Sequence, residues 1–393
     1  MEEWKEYRIG DLCKITSSKR IFAKEYKGSG VPFYRGKEII EKQKGNKIST
    51  ELFISQERYD EIKTKYGVPQ MGDMLLTSVG TLGIPYIVKD ETFYFKDGNL
   101  TWFYDFTNLD CRYLYYWFLS PIGKANIDSK AIGSTQKALT IDTLSKFDIS
   151  LPSLPTQQKI ASILSSLDDK IEVNRRINEQ LEELAQALFN KMFFENNELD
   201  RLPLSNFANI NPTRTLSKGT EARYIEMANL PTKGSFPMDW SLKSYEGGMK
   251  FTNGDTIMAR ITPCLENGKT AYIDFLDENE VAFGSTEYIV ISAKEDFCPA
   301  LFYFLARNNE FVDYAVSHMN GSSGRQRVSG ADIANFLMPN ISTEYSNRFA
   351  EVAMPIMDVI RNNSLENRHL TTLRDTLLPK LMSGEIDVNE VEL

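Results

Sequence analysis

Two stretches of the chain carry apolar residues at heptad spacing. In the first, Ile160, Leu167, Leu181 and Leu188 fall on one line with Asn174 in the middle, and a neighbouring line runs through Ile163, Lys170, Ile177, Leu184 and Lys191. Residues 155–193 contain no glycine, and their only proline, Pro155, suits a first helical turn. A stripe sustained over about four heptads predicts a long coiled-coil helix. In the second stretch, Phe349, Ile356, Leu370 and Leu377 flank Asn363, with Val352, Val359 and Leu373 on the adjacent line. Pro355 predicts a break or kink near Met354, and the helix is expected to end around Pro379, before Gly384.

The two stretches are copies of one another. Sliding the sequence by 189 residues places Ile160, Leu167, Asn174, Leu181 and Leu188 on Phe349, Ile356, Asn363, Leu370 and Leu377. The same shift puts Leu139, Leu144 and Phe147 on Val328, Ile333 and Phe336, whereas Gly72-Asp73 meets Gly254-Asp255 at a shift of 182. Loops of unequal length account for that drift. The chain reads as domain, helix, domain, helix: 1–150, 151–198, 199–340 and 341–393. Equivalent stripes in one chain favour pairing with each other as a coiled coil. An unstaggered pair would set Asn174 opposite Asn363 at its centre, where a buried amide pair fixes register.

Both domains have the pattern of mixed α/β (α+β) folds with short strands. Expected strands are Met74–Thr77, Pro85–Val88 and Thr101–Tyr104 in the first copy, with Thr256–Ala259 and Tyr288–Ile291 in the second. Glycines punctuate them, and an apolar helix follows in each copy, around Arg112–Leu119 and Ala300–Arg307.

Composition removes whole classes of function. Four separated cysteines and two histidines, His318 and His369, leave no disulfide framework, structural zinc site or multi-histidine metal site. Without a leader-like start or an apolar run of membrane length, the expected setting is soluble and cytoplasmic. Gly268-Lys269-Thr270 resembles the end of a phosphate loop, but Pro263 stands where that motif's first glycine belongs. Asn211-Pro212-Thr213-Arg214 lacks the second proline and the aromatic of an adenine methyltransferase motif, and reads as a turn. Glu61-Ile62-Lys63 reads as a charged helix face. With no serine elbow either, no catalytic constellation is expected.

Charge points elsewhere. The total is −9, yet residues 1–150 carry 22 basic and 20 acidic side chains, against 13 and 17 in 199–340. Lys19, Arg20, Lys24, Lys27, Arg35, Lys37, Lys42, Lys44 and Lys47 outnumber three glutamates, with Tyr26, Phe33 and Tyr34 interleaved. Such a stretch suits a phosphate-tracking surface, and a solvated loop face is the alternative. Two loops hold matching places in the duplication: Gly133-Ser134-Thr135-Gln136-Lys137 and Gly321-Ser322-Ser323-Gly324-Arg325-Gln326-Arg327. Gln reads adenine and Arg reads guanine bidentately, while hydroxyls hold phosphate, so Ser134, Gln136, Lys137, Arg325, Gln326 and Arg327 are candidate DNA contacts. An exposed turn is the alternative here. Ser78 and Arg260, equivalent after the Gly-Asp strands, are further candidates to reach a groove.

The segment Leu151-Pro152-Ser153-Leu154-Pro155-Thr156-Gln157-Gln158-Lys159-Ile160-Ala161-Ser162-Ile163-Leu164, continuing to Leu167-Asp168-Asp169-Lys170-Ile171, closely resembles the central conserved region of type I restriction–modification specificity subunits. Leu377-Leu378-Pro379-Lys380-Leu381-Met382-Ser383-Gly384-Glu385-Ile386 resembles that family's C-terminal region. The resemblance implies a non-catalytic subunit with two target-recognition domains, each reading one half of a split asymmetric DNA target. It implies that the two helices form an antiparallel coiled coil that sets the gap between half-sites. It also implies two methyltransferase and two motor–nuclease subunits as partners. S-adenosylmethionine, ATP and Mg²⁺ would then belong to those partners, with no cofactor bound by this chain. The alternatives from other classes are a stand-alone sequence-specific DNA-binding protein and a protein–protein scaffold.

Overall fold

The computed structural model describes residues 4–43, 45, 48, 52–133, 137–195, 200–322 and 324–388. The chain divides into two compact units, residues 1–172 with 369–393 and residues 173–368. Each comprises one strand-rich domain and adjoining portions of two long helices: a central helix, Leu154–Phe189, and a C-terminal helix, Thr343–Met382.

The first unit is built on a four-stranded antiparallel sheet in the order Lys14–Thr16, Leu100–Tyr104, Met74–Thr77, Pro85–Ile87. Alternation along the strands sends side chains into two different cores, as a period of two requires. Met74, Leu76 and Phe103 enter a core shared with the helix Cys111–Leu119 and with Ile160, Leu164 and Leu381 of the long helices. Leu75, Leu100 and Trp102 face the other way, onto Tyr34, Phe93 and Phe95. There a second sheet pairs Val31–Tyr34 antiparallel to Phe53–Ile54 and parallel to Tyr94–Phe95. The ends of the domain are tied together by the pair Lys5–Arg8 and Asp148–Leu151.

The second unit repeats this plan. Its sheet runs Ala208–Ile210, Tyr288–Ala293, Asp255–Ala259, Thr270–Tyr272. Met258, Ile289 and Ile291 pack toward the helices, while Ile257, Val290 and Tyr288 point to the opposite core. A second sheet holds Glu221–Ile225 parallel to Ala282–Gly284, and Arg201–Pro203 pairs with Leu337–Pro339. Local signals are duplicated as well. Thr140 caps the short helix Ile141–Ser145, and Ser329, 189 residues on, caps Gly330–Ala334. The five expected strands and both apolar helices are present, the latter at Cys111–Leu119 and Ala300–Ala306.

The long helices pair antiparallel in each unit, with a seam that differs from the sequence expectation in half of its members. Buried or partly buried positions step alternately by four and three residues. They are Ile160, Leu164, Leu167, Ile171, Asn174, Asn178, Leu181, Ala185 and Leu188 on the central helix, and Phe349, Ala353, Ile356, Ile360, Asn363, Asn367, Leu370, Arg374 and Leu377 on the C-terminal helix. The line through Ile160, Leu167, Asn174, Leu181 and Leu188 is therefore in the seam, as are Phe349, Ile356, Asn363, Leu370 and Leu377. The expected second line lies one residue off it. Ile177, Leu184, Val352, Val359 and Leu373 are exposed, and Ile163 is buried beside the seam in the first unit. In heptad terms these residues occupy the flanking position next to the core, which antiparallel helices place on one common side.

The register is also corrected. Asn174 does not face Asn363. Its amide donates to Asn367 at 3.0 Å and to Glu366 at 2.7 Å, while Asn363 donates to Asn178 at 2.8 Å. The duplication relates Asn174 to Asn363 and Asn178 to Asn367, so the four asparagines form two equivalent pairs, staggered by four residues from the expected alignment. Asn174 is only 1 % exposed, and its amide would be costly to leave unpaired. In the first unit the same register brings Arg374 to Asp168 at 2.6 Å, and Asp168 also accepts from Tyr116 at 2.7 Å. The C-terminal helix runs without a break through Pro355 and ends at Met382, where Gly384 takes φ +74°.

One buried carboxyl makes the second unit sensitive to pH. Burial pushes Asp274 up to about 7, with Arg361 opposing the rise and Asp358 adding to it, and its Oδ1 has no hydrogen-bond partner. Because the folded pKa exceeds the unfolded one, the native state binds more protons across that window, and stability falls as pH rises from 3.8 to about 7. Replacing Asp274 with Asn removes this loss. The variant should gain roughly 1–3 kcal/mol on wild type between pH 5 and pH 8. Urea melts at the two pH values check it; equal stability differences at both would contradict the assignment.

Candidate nucleic-acid interface

Each unit carries the same small backbone platform beyond the central strand of its four-stranded sheet. In the second unit, Arg260 N donates to Glu287 O at 3.0 Å and Val328 N donates to Arg260 O at 3.0 Å. Thr262 N donates to Gln326 O at 3.1 Å, and Asn320 and Arg327 exchange two hydrogen bonds of 2.9 Å. In the first unit, Ser78 N donates to Asn99 O at 2.8 Å and Leu139 N to Ser78 O at 2.9 Å, while Ile132 and Ala138 exchange bonds of 3.0 and 2.9 Å. The two candidate loops thus belong to a duplicated frame that ties them to the strand ends. Loops fixed on a rigid sheet are the usual carriers of recognition chemistry.

The side chains mounted on the frame differ. Arg325 is exposed and Gln326 half-buried. Arg327 donates to both oxygens of Glu287 at 2.7–3.0 Å, and its remaining nitrogen reaches Arg325 O at 3.2 Å. Hydrogen bonds from Arg327 hold the Glu287 carboxyl below its usual value. Arg260 stands close enough to Glu287 to add to that lowering, and its Nε, like the Thr262 hydroxyl, is buried without a partner. In the first unit Lys137 is exposed, and Ser134 and Gln136 lie outside the described residues.

Ser78 does not fit the expected role. It is 2 % exposed, and its hydroxyl is engaged inside the domain with Thr101 Oγ1, at 2.5 Å, and Leu76 O, at 3.2 Å. Its structural duty explains its place: it locks two strands where the other copy has Arg260 with an unpartnered Nε.

The basic stretch of the first domain is largely paired. Arg20 meets Asp97 at 2.9 Å, Lys37 meets Glu41 at 3.7 Å, and Lys42 meets Glu91. Arg35 holds the fully buried Glu38 at 2.7 Å; burial opposes ionisation of that glutamate, and the bonds from Arg35 outweigh it. Lys19 lies over the Tyr66 ring at 4.5 Å, and Lys24 and Lys27 are exposed. Lys44 and Lys47 fall outside the described residues. Among the described residues, a phosphate-tracking surface would have fewer free cations here than the sequence count suggests.

One important residue gave no motif. Arg307, just beyond the helix Ala300–Ala306, donates to the carbonyls of Thr232, Gly234 and Gly268 at 2.7 Å and Thr270 at 3.2 Å. Its Nε reaches the hydroxyl of Tyr303, which itself donates to Glu182 of the central helix. A single guanidinium therefore fixes the loop that enters strand Thr270–Tyr272, below the platform. The sequence signal was only an arginine closing an apolar helix.

The motifs set aside as non-catalytic lie in ordinary structure. Gly268 takes φ +71° in the turn feeding strand Thr270–Tyr272, and Lys269 Nζ donates to Met227 O. Asn211, at φ +51°, turns the chain after strand Ala208–Ile210. Glu61 pairs with Arg58 and Lys65 on the helix Gln56–Tyr66. Among the described residues no helix is long and apolar enough to cross a membrane.

Two similar mixed α/β domains, each with one copy of the loop platform, alternate along the chain with two long helices that pair antiparallel within each unit. Residues 1–183 match the type I restriction modification DNA specificity domain, and the chain is similar along its whole length to type I restriction enzyme specificity subunits. It is 26 % identical to a type I restriction enzyme specificity subunit of Methanocaldococcus jannaschii, over 99 % of this chain and 95 % of that one. A Haemophilus influenzae relative assigned to the same subunit class is 34 % identical over 166 residues, spanning 42 % of this chain and 40 % of the relative. The fold is that of the type I restriction–modification S subunit from M. genitalium, with TM-score 0.64 and 17 % identity over 97 % of this chain and 96 % of that structure.

Proposed function

We propose that the two domains each read one half of a bipartite, asymmetric double-stranded DNA target, and that the helical pair sets the unread gap between the halves. The observation that carries this reading is the platform: one backbone frame used twice, with different side chains on it. Equal frames give equivalent presentation to DNA, and unequal side chains give unequal half-sites. Arg325, Gln326 and Arg260 in the second domain, and Ser134, Gln136 and Lys137 in the first, are the groups assigned to base edges and phosphates.

The chain itself supplies recognition and no catalysis. Two methyltransferase subunits dock on it and modify adenines, and two motor–nuclease subunits complete the restriction complex in the cytoplasm. S-adenosylmethionine, ATP and Mg²⁺ are bound by those partners. The net charge of −9 fits this division, because an acidic chain needs basic partners to hold the DNA backbone. The reading is tested by exchanging the first domain for that of another family member and sequencing the methylated motif.

A further inference from the structure

At three matching positions of the platform the copies carry opposite chemistry. Where the first unit has Ser78, Asn99 and Ala138, the second has Arg260, Glu287 and Arg327, held by the same backbone bonds. A neutral trio has become a cation–anion–cation trio without any change of frame. Glu287 is central to it: it takes two of the three nitrogens of Arg327, and Arg325 O takes the third. Three of the five N–H donors of Arg327 are thereby engaged and its charge is matched by Glu287, so its side-on fork, Nε with one terminal nitrogen, is not offered to a base or a phosphate. Arg260 keeps an unpartnered Nε, Thr262 an unpartnered hydroxyl, and Arg325 is exposed.

We propose that Glu287 is a specificity-determining residue of the second half-site, acting as a positioning group that withholds Arg327 from DNA so that Arg260, Thr262 and Arg325 do the reading. This rests on the reading of the second domain as a DNA reader. A free arginine at the platform can pair with any phosphate within reach, which strengthens binding to every sequence alike. Tying that arginine to a carboxylate lowers non-specific attraction and keeps the platform's geometry fixed. Glu287 also places a negative charge where a misplaced phosphate would approach, a repulsive element of the kind that separates right from wrong partners.

The test uses the assembled complex with its methyltransferase subunits. The probes are a duplex carrying the wild-type methylated motif and duplexes with one base changed in either half. Replacing Glu287 with Ala should tighten binding to mismatched duplexes and lower discrimination at second-half bases roughly tenfold. The slope of log affinity against log salt should steepen by about one, as expected for one added phosphate contact. First-half discrimination should not change. Glu287→Gln, which keeps one acceptor for Arg327, should fall between Ala and wild type, and adding Arg327→Ala to Glu287→Ala should abolish the gained non-specific affinity. Second-half discrimination and salt slope unchanged in Glu287→Ala would overturn the proposal, as would equal weakening on all duplexes. Failure of wild type to discriminate second-half bases would instead overturn the reading beneath it.

Discussion

Inserting one heptad after Lys170 and another after Leu370 should lengthen the unread gap in the methylated motif by one to three base pairs. The observed register places these two points opposite each other, since Asp168 meets Arg374 and Asn174 meets Asn367. Insertion there keeps the Asp168–Arg374 contact on one side and both asparagine pairs on the other, and both points lie within two residues of the border between the compact units. Seven residues add about 10.5 Å of helix at roughly 1.5 Å per residue. At about 3.4 Å per base pair that is roughly three base pairs. Rotation of one half-site around the duplex resists part of the change, hence the lower bound. Methylome sequencing of cells carrying the lengthened protein gives the answer, and an active variant with its original gap would remove the helices from the role of ruler.

The second large effect concerns the exposed flank of the helical pair. Ile177, Leu184, Val352 and Val359 are all exposed, between 39 and 59 %, and share one side of the pair in the second unit. The opposite flank is engaged: Glu182 accepts from Tyr303, and Phe189 is fully buried in the domain core. Exposed aliphatic residues repeated at seven-residue intervals are the signature of a surface that a helical partner covers. The proposed methyltransferase partner, docking on this chain, would cover this flank. Changing all four to Ser should leave thermal stability nearly unchanged, as surface substitutions generally do. At about 1.5 kcal/mol or more per buried aliphatic side chain, the same change should weaken association by roughly 10³-fold or more. Co-purification with the methyltransferase subunit, and mobility shifts with and without it, measure this. Unimpaired assembly would place the docking surface elsewhere, and tight specific DNA binding without the partner would favour a stand-alone binding protein.

The sequence carried the architecture because duplication repeats every signal twice. The 189-residue shift links the caps Thr140 and Ser329, the strands beginning at Asp148 and Leu337, and the helices themselves. What it hid was the identity of half the seam. Hydrophobicity draws the eye to Ile177, Leu184, Val352 and Val359, yet the positions that face the partner helix are Asn178, Ala185, Ala353 and Ile360. Polar seam residues satisfied by one another look like surface in a one-dimensional pattern, and apolar residues on an exposed flank look like core. The register error has the same origin, because symmetry about Asn174 and Asn363 is equally compatible with a pairing staggered by four.

The candidate site was legible in outline and not in detail. The glycine-rich loops announced the platform, since their bends need residues such as Gly321, at φ +133°. Net charge overstated the basic surface, because sequence cannot show that Lys42, Arg35 and Arg20 each meet a carboxylate from a folded neighbour. Ser78 and Arg260 occupy equivalent backbone sites with opposite fates, one interior and one with an open donor. Arg307 and Glu287 could not be singled out at all, as their partners lie in loops far along the chain.

The central claim is that each domain reads its own half of the target, and the most direct measurement is the methylated motif of a chimera. The chain carrying another family member's residues 1–150 is expressed with its methyltransferase partner, and the modified sites are mapped across a genome. One half of the motif should become the donor's, with the other half and the gap unchanged. A motif altered in both halves, or altered in neither by an active chimera, would contradict the account.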